Sequence, residues 1–210
     1  MPHKDLYSVE EIFKHIKDRN WQWFLHKIQP VDVVNACPFA LAMCVAHDLI
    51  ESSAREEGII VDEIRQFVVS LLHVIRVQFA SQWNKDWKNE ALLGIACALV
   101  YLEEEAFVHM KNAYHQCVDP PQSLILAYIR AGERIDDPLS SDVVAELSYL
   151  AIKQGVTYEA ARQLEAVADS QGNNKEKKYW QEVAKEANRL GLHVAMIVPD
   201  VLDNRRQTIT

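Results

Sequence analysis

Two segments of this chain, Pro38 to Ile50 and Glu90 to Leu102, are apolar almost all the way round a helix, yet both are too short to cross a bilayer. A helix with apolar side chains on every face has to be wrapped in protein, because either side left in water would forfeit roughly 25 cal/mol per Å² of apolar surface. The pair therefore predicts the buried centre of an all-α protein. At 210 residues and 49% apolar content the chain has enough material to surround that centre without help from disulfides or metal.

Helix punctuation is legible along the rest of the chain, and strand signals are almost absent. Ser8 followed by Glu11 has the pattern of a capping box, opening a helix with Ile12, Phe13 and Ile16 on one side. After a break near Asn20, Trp21, Phe24, Leu25 and Ile28 form the next apolar face, which Pro30 stops. Pro38 suits a first helical position, and Gly58 lies just past that helix's end. Asp62 is placed to cap a helix in which Ile64, Phe67, Val68, Leu71, Leu72, Ile75 and Phe79 recur at helical spacing. From Asn84 or Asp86 a further helix is expected to run about 30 residues to Cys117, with a bend near Glu103 to Glu105.

Beyond Gln122 the helices become shorter, each closed by a glycine: Gly132, Gly155, Gly172 and Gly191. Regular faces such as Ala160, Ala161, Leu164, Val167 and Ala168 imply antiparallel hairpins. Gly155 and Gly191 are 36 residues apart, near the period of two-helix repeats. Over about a third of the chain the general shape is similar to the tetratricopeptide class, although that repeat's characteristic residues do not recur in register. The expected organisation is a bundle of about eight or nine helices. It comprises an N-terminal bundle over 1–118, a hairpin layer over 119–192 continuous with it as one domain, and an extended strap with a disordered tail over 193–210.

Charge and cysteine usage narrow the function. A formal net charge of −8 opposes nonspecific binding to nucleic acid or anionic lipid. The densest basic run, Lys175, Lys177 and Lys178, reads as a solvated helix face. Met1 to Glu11 is charged within a few residues and has no apolar h-region, so a cytoplasmic protein without membrane insertion is expected. Cys37, Cys44, Cys97 and Cys117 include no Cys-x-x-Cys pair, which points to buried reduced thiols.

No catalytic signature stands out. There is no Gly-x-Ser-x-Gly and no glycine-rich phosphate loop, and most of the six glycines already serve as helix stops. His109, His115 and Cys117 carry zinc-type chemistry at a spacing that does not suit a tetrahedral site. Glu103, Glu104 and Glu105 lack the Glu-x-x-His pairs of a di-iron centre. Cys37, ahead of a helix N-terminus, is the thiol whose pKa a helix dipole would lower. Adjacent His47 and Asp48 on an apolar helix resemble the core of the HD-type metal phosphohydrolases. That resemblance implies a divalent metal held by His26, His47, Asp48 and Asp119, activating water against a phosphate ester.

The aromatic residues suggest a different use. Trp21, Trp23, Trp83 and Trp87 exceed what the expected core requires, and tryptophan is favoured as an interface anchor. The leading expectation is a non-enzymatic interaction module without a cofactor. It would be an adaptor or chaperone-like subunit, a secretion adaptor being one version, that takes a partner helix or peptide in a groove between helices. The alternatives are the metal-dependent phosphohydrolase and a structural homodimer that buries the tryptophans against a second copy.

Overall fold

A computed structural model of the chain describes residues 7–54, 56, 59–136 and 139–194. Among these residues the chain is all-helical, with twelve helices and no strand. They are α1 (Val9–Lys17), α2 (Trp21–His26), α3 (Pro30–Ala36), α4 (Phe39–Ser53), α5 (Ile59–Gln78), α6 (Ala80–Trp83), α7 (Trp87–Leu99), α8 (Glu103–Gln116), α9 (Gln122–Gly132), α10 (Ser141–Gln154), α11 (Tyr158–Ser170) and α12 (Asn174–Arg189). No described helix is long and apolar enough to cross a membrane. The chain divides into two compact units, the first running through Ala106 and the second beginning at Phe107, so the division falls within α8.

The two all-round apolar segments are α4 and α7, and they pack on each other in the first unit. Phe39, Ala42, Met43, Cys44, Val45, Ala46 and Leu49 of α4 are buried, as are Leu92, Leu93, Ala96 and Cys97 of α7. α5 lays Ile64, Val68, Leu71, Leu72 and Ile75 onto the same core, each without solvent exposure. α1 contributes Ile12 and Ile16 after Ser8, whose side chain accepts the Glu11 N–H at 3.1 Å.

The count exceeds eight or nine for local reasons. Pro30 does not merely end α2; it occupies the first turn of a further helix, α3, where its missing N–H costs nothing. The backbone N–H of Gln29 donates to Asp32 at 2.9 Å and fixes that start. A short α6 separates α5 from α7, and the expected 30-residue helix is two. Tyr101 adopts φ 64° between them, and the Leu102 N–H reaches back to the Cys97 carbonyl at 2.9 Å, which is a Schellman closure made without glycine. Arg65 lies over the Tyr101 ring at 4.7 Å. Arg19 closes α1 in the same way, with φ 50° and the Asn20 N–H bonded to the His15 carbonyl at 3.0 Å. Asp62 is not the cap of α5, which starts at Ile59; it sits in the first turn and pairs with Arg65 at 2.7 Å. Asp86 is the N-cap of α7 and accepts the Lys88 N–H at 3.0 Å.

In the second unit, consecutive helices from α9 to α12 pack against one another as hairpins. Ser140, Thr157 and Asn173 cap α10, α11 and α12 through their side chains. Gly172 and Gly191 take the left-handed conformation, φ 68° and 69°, that closes α11 and α12. Gly132 has another role. It is still helical, and a Cβ there would lie 2.8 Å from Leu139 Cγ, so it is small because the chain returns across it. After α12 the Tyr158 N–H donates to the Leu192 carbonyl at 2.8 Å, and Glu159 accepts the Val194 N–H at 3.0 Å. The expected stop at Gly58 and the strap and tail from residue 195 onward lie outside the described residues.

Candidate functional site

Most of the tryptophans have partners inside the fold. Trp21 is 6% exposed and belongs to the core of the first unit. Trp23 is half-buried, stacked on His15 at 4.2 Å and set edge-on to Tyr7 and Phe24. The Trp83 indole packs on the same core, and its N–H donates to the Arg76 carbonyl at 2.9 Å. Trp87 is half-buried in the first turn of α7 with Lys88 Nζ over its ring at 5.7 Å. Packing, ring contacts and a satisfied indole N–H thus account for much of their surface.

Open apolar surface in the first unit includes Leu99 and Tyr101 at the end of α7 and, in a concave setting, the space between α3 and α5. Gln29, Pro30 and Val31, at the start of α3, face Val69, Ser70, His73 and Val74 of α5 across a groove of about 580 Å³. Val33 and Val34 turn inward to the core, which leaves Val31 45% exposed on the outer side of α3. Val69 and Val74 are half-buried and form the apolar part of the α5 wall. Val77, 68% exposed, continues that face of α5 one turn further on. The groove is braced at one end by the Gln78 amide donating to Asn35 Oδ1 at 3.3 Å. The signal in the sequence is faint, since Val69, Val74 and Val77 fall outside the core spacing of α5 without forming a motif.

A second concavity of about 430 Å³ lies between the end of α1 and the outer face of α4, lined by Phe13, Ile16, Lys17, Arg19, Asp48, Glu51 and Ser52. Arg19 pairs with Glu56 at 3.3 Å. His47 Nδ1 lies 3.8 Å from Asp48 Oδ1 and 3.8 Å from Glu51 Oε2, beyond hydrogen-bond range. That nitrogen is buried and makes no hydrogen bond. His47, Asp48 and Glu51 each bring one ligand atom within 4.8 Å of the others, which makes them the single such group of three among the described residues. His26 is exposed at the end of α2 and is not part of this group, and Asp119 belongs to the second unit. Glu51 completes no known motif with His47 and Asp48, although it stands one helical turn after His47.

The remaining candidates are structural in their surroundings. Cys37 is 2% exposed, and burial, with Cys44 nearby, pushes its thiol up to about 11, opposite to what a helix dipole would do. Burial likewise raises Cys97 to about 12. His109 is buried, His115 is exposed and Cys117 is half-buried, and they do not converge as a ligand group. Glu103, Glu104 and Glu105 form the first turn of α8, where their charge complements the helix dipole. Compared with protein-family models, curated proteins and solved structures, the chain finds no match.

Proposed function

We propose that this chain is a protein-interaction module whose α3–α5 groove receives an apolar stripe from a partner helix or peptide. The observation that supports the reading is the groove walled by Pro30, Val31, Val69 and Val74, with Val31 exposed in its wall and Val77 exposed one turn beyond it along α5. A groove lined by exposed and half-buried valines matches the recognition of an amphipathic helix, which inserts anchors spaced three and four residues apart. The net charge of −8 favours basic residues flanking those anchors on the partner. An adaptor or chaperone-like subunit is the form of protein that such a groove, with no catalytic motif beside it, serves best. On this reading the anchor residues are valines of α3 and α5, and not the tryptophans.

A photo-crosslinking amino acid at His73, in an extract of the native host, tests this. A discrete crosslinked partner is expected, and it should disappear in Val31→Asp/Val77→Asp, whose changes lie on the surface. Labelling no stronger than at Tyr179 in the second unit, or a product that survives the double change, overturns the reading. A product of twice the 24.1 kDa chain mass would identify the partner as a second copy.

A further inference from the structure

We propose that His47, Asp48 and Glu51 form a divalent-cation site on the outer face of α4, independent of the α3–α5 groove. His47 and Glu51 are one turn apart and Asp48 is adjacent, so a single helix presents all three. Two ligands bound to one ion at about 2.0–2.2 Å stand roughly 3.3–3.6 Å apart in tetrahedral geometry. The 3.8 Å separations from His47 Nδ1 to both carboxylates therefore need to close by only a few tenths of an ångström. Side-chain rotation of Glu51, whose side chain is 65% exposed, closes its own separation without disturbing the helix, and the separation to the more buried Asp48 closes by turning the imidazole and carboxylate toward each other.

The His47 nitrogen makes the cluster more than a coincidence of surface charge. A buried ring nitrogen that makes no hydrogen bond has only the two carboxylates, each 3.8 Å away, to offset its desolvation, and a cation between them would bind it directly. Its side chain is only 19% exposed, so water has restricted access to do the same. One imidazole and two carboxylates suit zinc or another first-row divalent ion better than calcium or magnesium, which prefer all-oxygen sets. Three protein ligands leave a further coordination position for water or an exogenous ligand. Lys17 and Arg19 line the cleft beside Asp48 and Glu51, and Arg19 is engaged by Glu56, so the cations in the cleft are partly neutralised. The ligand set differs from that implied by the HD-type resemblance: Glu51 stands in it, and neither His26 nor Asp119 is required.

The test uses the full chain in a Cys117→Ser background, so that the half-buried thiol does not bind the probe. Protein stripped with a chelator is titrated with Zn²⁺ alone and, separately, with Co²⁺ alone, by calorimetry and by the visible spectrum of cobalt. One equivalent per chain is expected. Loss of a direct ligand in Glu51→Gln or His47→Gln should weaken binding by about 100-fold or more, exceeding the roughly 10–100-fold typical of outer-shell partners. His26→Ala should bind as the parent does. Failure of the parent to bind, unchanged affinity in Glu51→Gln, or loss in His26→Ala each overturns the proposal. Should His47→Gln not fold, Glu51→Gln decides alone, because its side chain is mostly in solvent.

Discussion

The α4–α7 pair and the α11–α12 hairpin are held together by different means. α4 carries no side-chain cap at its N-terminus, where Pro38 stands, yet seven of its apolar side chains are buried. α12 has only Trp180, Ala184 and Ala187 buried among charged neighbours, and both it and α11 have side-chain caps, Asn173 and Thr157. Polar ties join it to α11: Glu165, also paired with Arg162 within α11, accepts from the Gln181 amide at 2.9 Å, and Lys177 reaches Asp169 at 2.8 Å. A helix buried on all sides is fixed by its surroundings. A helix with a thin apolar stripe depends on how its ends are satisfied and on a few anchors.

That contrast is sharpest at the anchor. Trp180, 8% exposed, is the largest buried side chain in the small α11–α12 core with Ala161, Leu164 and Ala184, against which half-buried Tyr158 also packs. Trp180→Ala should cost about 3–5 kcal/mol, read as loss of amide-exchange protection in α11 and α12. A loss below about 1 kcal/mol would show that caps and polar ties suffice without an anchor. Leu93→Ala in α7, where the side chain is fully buried, should cost about 2–5 kcal/mol in denaturant unfolding, with protection falling in α4 and α7 together. Confinement of the loss to α7 would break the idea of a mutually supported pair.

Smaller effects test the ends and turns. Gly132→Ala should lower stability by about 1–3 kcal/mol, because the added Cβ presses on Leu139 and Phe107. A neutral result in thermal unfolding would mean that Leu139 swings aside. Thr157→Ala, which removes the bond from the Ala160 N–H, should cost about 1 kcal/mol. The smallest expected effect is a pH slope at Glu159. Burial alone would raise this carboxyl, but the Val194 N–H, its own backbone and His193 outweigh it and hold the pKa below the ordinary 4.5. The resulting stabilisation is present above that ordinary value and lost as pH falls through the folded one. Glu159→Gln should flatten the acid side of the stability curve, and an unchanged slope would remove Glu159 from the tie between α11 and the chain after α12.

The central pair, the Ser8 and Asp86 caps and the hairpins closed by Gly172 and Gly191 all follow from periodicity and punctuation, which are local properties of the chain. The break between α7 and α8 does not, because Tyr101, like Arg19 after α1, takes a conformation that sequence patterns assign to glycine. Tertiary contact supports the exception at Tyr101, where Arg65 lies on the ring. Gly132 has the sequence signature of a stop, because a glycine's need for space looks the same in sequence as its need for a positive φ.

The candidate sites divide in the same way. His47 and Asp48 are visible as neighbours in the chain, whereas Glu51 joins them only because α4 places it one turn away, and His26 and Asp119 stay outside the cluster. The pattern of residues is enough to make this an all-helical chain and to pick out the helices at its centre, because burial of a helix apolar on every side leaves no alternative. That Trp21 lies in the core while Val31 remains open is settled by packing in three dimensions, since a single side chain's exposure depends on which neighbour arrives to cover it.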